Sequence, residues 1–574
     1  MVLGIDLGTT NSCIAILRNN KQEVIKNNFG SNITPSCILF RKNQRMFEKP
    51  VKECIKSNPK NTVFNIKRII GRNFDDKEVQ NDIKYWPFKV IKDKKSNKPQ
   101  IEIELNGQIE KFYPEQISAM ILGHLQKISN KYLNRKVKKA IIAVPAYFNE
   151  KQRKATLNAG EIAGLKVIRL IDEPIAAAIA YGFNDKSIKA KNILVFDLGG
   201  GTFDVSILKK EKNNFKILTT NGDSHFGGED FDQKLVDYCC ESIEKKYNLS
   251  IYKNNKVINK LKCACEEAKK GLSISKEEYI SIEYNEEDIE IPITRNDFEE
   301  LCSDLFNKII PIIEKTLKDI NLTKKQIDEV IFIGGSSKIP KIQRIVKEYF
   351  NGIDFKIIIN PEEAVAIGCA IQGTKNYSLK ITNPHSIGIN TNEDKEKNVT
   401  SILIPKNEVL PFEITETFST SKKNQTQVAF DIYQGENYYS KDNTFIGGFV
   451  IKNIRKAKEG EVDFNVNMKL DENGILSIHV IDVEKGNYKQ IIIKNIINFN
   501  DEEINYFKQR ENQFKKEESE SEYGNSKYIG KKNTLDEIDI NNSIKVLEEL
   551  DKQILSTRIS KASTNIFNKN SKYN

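Results

Sequence analysis

One segment occurs twice in this chain, and it restricts the possible folds more than any other feature. Ile5-Asp-Leu-Gly-Thr-Thr-Asn-Ser-Cys-Ile-Ala-Ile-Leu17 aligns without a gap on Phe196-Asp-Leu-Gly-Gly-Gly-Thr-Phe-Asp-Val-Ser-Ile-Leu208. Each copy reads as an apolar strand, an aspartate, a turn of small residues and a second apolar strand. Two similar α/β halves, each opening with a hairpin, are the simplest fold that such a match implies. At 574 residues the chain is too long for one hydrophobic core, so further domains are expected beyond the two halves.

Between and after the copies, strand and helix signals alternate. Lys139 to Val144 is an apolar strand ending at Pro145, residues 150–164 are helix-like, and 173–181 form an Ala-rich helix. Residues 229–247 and 255–272 read as long helices, and 330–337 as a buried strand meeting another glycine turn. This alternation predicts mixed sheets with helices on their faces. Near Gln372 to Asn376 the period changes to two, with Val428, Phe430 and Ile432 on one face and Val462, Phe464, Val466, Met468 and Leu470 on another. Asp471-Glu472-Asn473-Gly474 is expected to turn this strand into Leu476, Ile478 and Val480, because Asn-Gly tolerates positive φ. Asn500, with Glu503 three residues on, caps a predicted helix, and Ile540, Ile544, Leu547, Leu550 and Ile554 make one stripe of a second. The expected divisions are 1–374, a linker at 375–384, a β-sandwich at 385–498, a short helical segment at 499–560 and a disordered tail at 561–574.

Charge and composition narrow the function classes. The net charge of +10 is spread along the chain and interleaved with acids rather than gathered in a basic stripe, so no nucleic-acid partner is expected. The nine cysteines form no Cys-x-x-Cys pair and the four histidines lie apart from them, which points to a reducing compartment and gives no zinc site. Met1 runs almost directly into Val2-Leu-Gly-Ile5, with no leader pattern and no apolar run of membrane-spanning length anywhere. A cytoplasmic location without a membrane partner is the expectation.

The chemistry lies in the turns. A polyphosphate needs backbone N–H groups close to it, and Gly8, Gly199, Gly200 and Gly201 allow that approach. Thr9, Thr10 and Thr202 place hydroxyls beside them, and Asp6 and Asp197, each ending a buried strand, are placed to hold a hydrated magnesium ion. Gly334-Gly335-Ser336 adds a third turn. No Gly-x-x-x-x-Gly-Lys-Ser/Thr loop occurs at these turns, so the phosphate site is not of the P-loop type.

Two hairpins with an aspartate in each resemble the fold shared by actin, sugar kinases and the seventy-kilodalton heat-shock chaperones. The resemblance to the last, the DnaK-type family, is specific over about residues 1–500 and closest to its eukaryotic cytosolic branch. It is carried by Ile5 to Ser12, Asn61-Thr-Val-Phe-Asn-Ile-Lys-Arg-Ile-Ile-Gly-Arg72, Val144-Pro-Ala-Tyr-Phe-Asn149, Glu173-Pro174, Asp197 to Val205, Ile359 to Val365 and Tyr85-Trp86-Pro87-Phe88. The resemblance implies an actin-like two-lobed ATPase domain that uses ATP/ADP and Mg2+, followed by an antiparallel β-sandwich and a helical segment. It implies that Lys67 orients the attacking water, with Glu173, Thr202, Asp6 and Asp197 arranging water and magnesium. It also implies that Glu266, Lys269, Lys270 and Ser273 line the adenosine together with Gly335, Ser336 and Lys338. Pro145 and Arg153 would report the nucleotide state to the β domain. As isolated residues they mean a strand end and a helix surface.

By the same resemblance, Ile389, Phe418, Val428 and Phe430 line a groove for extended apolar segments of unfolded polypeptides, although alternating strand residues are ordinarily core. A J-domain cochaperone and a nucleotide-exchange factor are the implied partners. Several positions depart from the family pattern. Lys270 and Lys338 replace arginines, the stretch Lys375 to Ile381 is a short linker, Asp172 stands where asparagine is usual, and Asn392 with the insert 393–397 alters the arch over the groove. The expected function is an ATP-dependent chaperone, with a nucleotide-exchange partner of another chaperone as the alternative.

Overall fold

The computed structural model describes residues 1–528 except 42–43, 49, 52–57, 106, 184–190, 212–213, 224, 248–250, 252–253, 285–286, 353–358, 375–377, 394–395, 483–487 and 490–498. The stripe predicted at 540–554 and the tail at 561–574 lie outside the described residues. Residues 1–511 form one compact unit and 512–574 a second.

The sequence repeat becomes a structural repeat. In the first half, strand Leu3–Asp6 pairs antiparallel with Asn11–Arg18 and parallel with Lys139–Val144, which pairs with Lys166–Asp172. In the second, Lys191–Leu198 pairs antiparallel with Phe203–Glu211 and parallel with Glu329–Ile333. Each sheet therefore carries its hairpin beside parallel strands that need crossover helices, which is why helices cover these sheets.

Two helices, Glu173–Gly182 and Ala364–Gln372, run between the halves, and every residue of the second is buried. Their close approach requires glycine. A Cβ on Gly368 would fall 1.7 Å from the Ala176 carbonyl oxygen, and one on Gly4 would fall 2.3 Å from that of Ala366. Further out, the helices Gly228–Tyr247 and Asn255–Gly271 pack with hairpin Glu277–Thr294 over a core rich in phenylalanine, including Phe196, Phe203, Phe231 and Phe332.

The segment expected as a linker contributes to the second half's sheet. Ser378–Lys380 pairs parallel with Asn214–Lys216 at the sheet edge. Two four-stranded antiparallel sheets follow, in the orders 396–404, 387–393, 427–434, 444–452 and 412–419, 463–470, 476–482, 488–489. Strand Asp463–Leu470 shows why they form. Phe464, Val466, Met468 and Leu470 are buried while Asn465, Asn467 and Lys469 are not, a period of two that leaves one apolar face to cover. Phe430 of one sheet meets Phe464 of the other with ring centroids 6.0 Å apart.

The turn expected at Asp471-Glu472-Asn473-Gly474 does close a hairpin into Leu476. Leu470 pairs with Leu476 across a five-residue loop, and Gly474 supplies its positive φ of 75°. Asn473 instead uses its side chain, accepting the backbone N–H of Leu170 at 2.9 Å. Helix Asp501–Tyr528 starts at a reciprocal cap. Asn500 Oδ1 accepts from Glu503 N, and Glu503 Oε2 accepts from Asn500 N, both at 2.8 Å.

Candidate active site

Strand ends and turns of both halves converge on a cleft of about 1080 Å3, at the upper limit for small-molecule sites. Its floor is an ion pair in which Lys67 Nζ donates to Glu173 Oε1 at 2.7 Å. Lys67 sits in the short 3-10 turn Ile66–Arg68, entered through Asn65 in the left-handed region at φ 59°. Glu173 opens helix Glu173–Gly182, with Pro174 in the first turn.

Three aspartates surround this pair. Asp6 is pushed up to about 7, first by burial and then by the nearby Glu173 carboxylate, with Lys67 pulling the other way. Burial followed by Glu173, Asp204 and Asp6 raises Asp197, and burial followed by Glu173 raises Asp204. Burial disfavours the charge on Lys67, but Glu173 and Asp6 outweigh it and its pKa rises. Four carboxylates facing one ammonium leave an excess of negative charge in a set of hard oxygen donors, which suits a divalent cation. Among the described residues no three acidic, histidine or cysteine side chains converge closely enough to ligate an ion directly. An ion at Asp6 and Asp197 would therefore keep most of its water.

The glycine turns face each other across the cleft. A Cβ on Gly200 would come 2.1 Å from Thr10 Oγ1, and one on Gly8 would come 2.0 Å from the Asn11 carbonyl oxygen. Backbone bonds from Gly228 to Gly199 and from Glu229 to Gly200 stack a further loop on the second turn. Asp6, Gly8, Thr9, Thr10, Gly199, Gly200 and Thr202 all line the cleft. Gly201 sits behind, where a Cβ would come within 2.9 Å of Arg68 Nε.

The expected adenosine residues also line this cavity. They are Glu266, Lys269, Lys270 and Ser273 on or just after helix Asn255–Gly271, with Gly334, Gly335, Ser336 and Lys338 opposite. Several already hold the wall together. Lys269 Nζ bonds the Gly228 carbonyl and Asp232, both at 2.8 Å, and Ser336 Oγ donates to the Gly199 carbonyl. Lys270 is paired with Glu266 at 2.8 Å and Lys338 with Glu362 at 2.6 Å.

Other residues of the site escaped the sequence reading. Arg68 reaches across to Asp82 at 3.2 Å, Glu229 at 3.1 Å and Asp230 at 3.2 Å, and His225 Nε2 also meets Asp82. Glu229 is pushed up to about 7 by burial, against the pull of Arg68. Asp204, opposite Asp197 in the hairpin register, was passed over although it lies within the second repeat. Its neighbour in motif, Lys67, was the available signal for Arg68.

Elsewhere, Asp172 has a physical reason for its charge, since Arg153 Nη2 donates to it at 2.6 Å inside the structure. Of the groove candidates, Ile389 and Phe430 are core residues while Phe418 and Val428 are partly buried against the same cluster. Phe418 and Phe430 rings meet edge to face at 6.3 Å.

Fold and cleft together define a two-halved α/β nucleotide-binding protein with an appended antiparallel β region. A family model described as Hsp70 protein matches residues 2–572. The chain is also 43% identical over 507 residues to heat shock cognate 70 kDa protein 3 of Dictyostelium discoideum, covering 86% of this chain and 80% of that relative. The chain belongs to the Hsp70 family of ATP-binding chaperones. No described helix is long and apolar enough to cross a membrane.

Proposed function

We propose that this chain is a cytoplasmic ATP-hydrolysing chaperone that binds extended apolar segments of unfolded polypeptides through its β region and releases them as nucleotide turns over. The observation that carries the reading is the Lys67–Glu173 pair at 2.7 Å, set among carboxylates at the meeting point of two glycine turns. Lys67 presents N–H donors where charge builds on a transferred phosphoryl group and holds the attacking water in line. Glu173 fixes the Lys67 ammonium and accepts from that water. Asp6 and Asp197 would hold Mg2+, and the ion would supply neutralisation of phosphate charge. Thr10 and Thr202 hydroxyls and the backbone of residues 8–10 and 199–201 cradle the phosphates, while helix Asn255–Gly271 and the turn at Gly334–Lys338 take the adenosine.

On the protein-binding side, Phe418 and Val428 present apolar surface backed by Ile389 and Phe430, suited to alternate side chains of an extended peptide. Steady-state ATP turnover by the full chain tests the reading. An extended apolar peptide and a J-domain protein should each accelerate it. Turnover indifferent to both defeats the proposal, and faster nucleotide release from a conventional relative on adding this chain would favour the exchange-partner alternative.

A further inference from the structure

Glu48 has a backbone conformation that suits glycine and a carboxylate buried beside a histidine. Its φ is 75° and its side chain is 2% exposed, and such a conformation is strained in a residue that carries a Cβ. His124, midway along helix Pro114–Leu133, donates from Nε2 to Glu48 Oε1 at 2.8 Å, and Asn28 Nδ2 donates to the same oxygen at 2.6 Å. Glu48 Oε2 is buried without a hydrogen bond among the described residues. Phe47 holds the His124 ring flat, stacked with centroids 4.3 Å apart and planes 5° from parallel. A strained backbone, an orphaned oxygen and a desolvated pair add little to stability. The arrangement is explained instead by what it holds in place.

That is the small sheet which delivers Lys67. Strand Cys37–Arg41 pairs with Gln44–Met46 on one side and with Thr62–Phe64 on the other. Glu48 follows Gln44–Met46 closely, and its carbonyl accepts from Val51 N at 3.1 Å, which sets Val51 into a core with Cys37 and Leu39. Phe64 packs on that core, and the next residue, Asn65, opens the turn Ile66–Arg68 that carries Lys67. Asn28, the second partner of Glu48, belongs to the loop before strand Ile33–Pro35, whose Pro35 is in register with Asn11 beside the first glycine turn. We propose that Glu48 and His124 are a positioning pair for ATP hydrolysis: their bond fixes the small sheet against helix Pro114–Leu133 and so sets where Lys67 meets the phosphoryl group. The inference rests on the reading of the cleft as an ATPase.

Three readouts on the full chain test this: single-turnover hydrolysis of ATP with magnesium, the ATP concentration that half-saturates it, and hydrogen exchange of residues 62–68. His124→Leu should slow hydrolysis by about tenfold to a hundredfold, the scale expected when a reacting group is misplaced by about 1 Å. Half-saturating ATP should stay unchanged, because the loss falls on the transition state alone, and exchange at 62–68 should quicken. His124→Gln, whose amide nitrogen reaches the place of Nε2, should restore both. His124→Asn is one methylene shorter, leaves that place empty and should restore neither. Glu48→Gly relaxes the backbone and so keeps the fold, yet it should slow hydrolysis by the same factor, with no further loss when His124→Leu is added. Equal rates in His124→Gln and His124→Asn overturn the positioning role. So does an unaltered rate in Glu48→Gly, and so do losses that multiply in the double variant. If the unaltered chain hydrolyses no ATP, the ATPase reading falls by itself and exchange decides the rest. Faster exchange at 62–68 in His124→Asn but not in His124→Gln then supports the placement of the Lys67 turn, and equal exchange in the two overturns it.

Discussion

Around the cleft, Asp197, Asp204 and Glu173 are buried beside Asp6 and share one lysine, whereas strand Asp463–Leu470 buries four apolar side chains and turns its asparagines and Lys469 to the surface. The first arrangement stores unfavourable charge in order to meet a cation and a polyphosphate. The second contains no such conflict, since each inward residue gains by leaving water. Substitution should therefore separate the two regions, with charge changes altering chemistry in one and volume changes altering stability in the other.

The largest effect is expected from the β region. Phe464→Ala should cost about 3–5 kcal/mol of β-region stability in denaturant unfolding, while unstimulated ATP turnover persists. If turnover collapses with it, the regions are less separable than their cores suggest. Arg68→Ala should come next. It strands Glu229, Asp230 and Asp82, costing about 2–5 kcal/mol across the cleft, and fluorescent ADP should leave faster in stopped flow.

A smaller effect of opposite sign is expected at Asp6. Its pKa is raised from 3.8 to about 7, so the folded protein holds a proton that the unfolded chain has released. The associated stability is full below about pH 3.8 and is lost as pH rises through 7. Nucleotide-free, magnesium-free Asp6→Asn should melt higher than the unaltered protein at pH 8, by about 1–2 kcal/mol in stability, and should lose hydrolysis. The least effect belongs to Lys406→Ala. Its partly exposed pairing with Asp319 at 2.7 Å should contribute about 0.2–1 kcal/mol, read as a slight rise in exchange at 405–411.

How well each region could be read from sequence follows from the range of its interactions. The hairpins, the strand at 139–144 and the helices near 173 and 255 were legible because their patterns are local, and so were the glycines and aspartates of the turns. The alternation at 462–480 likewise announced two-faced strands. What stayed hidden depends on partners far away in the chain. Arg68 meets Asp230 across 162 residues, Leu170 meets Asn473 across 303, and the expected linker pairs with strand Asn214–Asp223. No local period encodes such contacts. Asp204 was missed for a different reason, because it lies in the second strand of its hairpin, whereas the magnesium expectation rested on the aspartates that end the first strands. Gly201 shows the converse, a motif residue that supports the wall from behind.

Single-turnover hydrolysis of ATP in the presence of magnesium by the full chain and by Lys67→Ala tests the central claim most directly. Loss of about 10²–10³-fold in rate, with nucleotide affinity retained, is the result that places transition-state stabilisation at the Lys67–Glu173 pair. An unchanged rate in Lys67→Ala would contradict it.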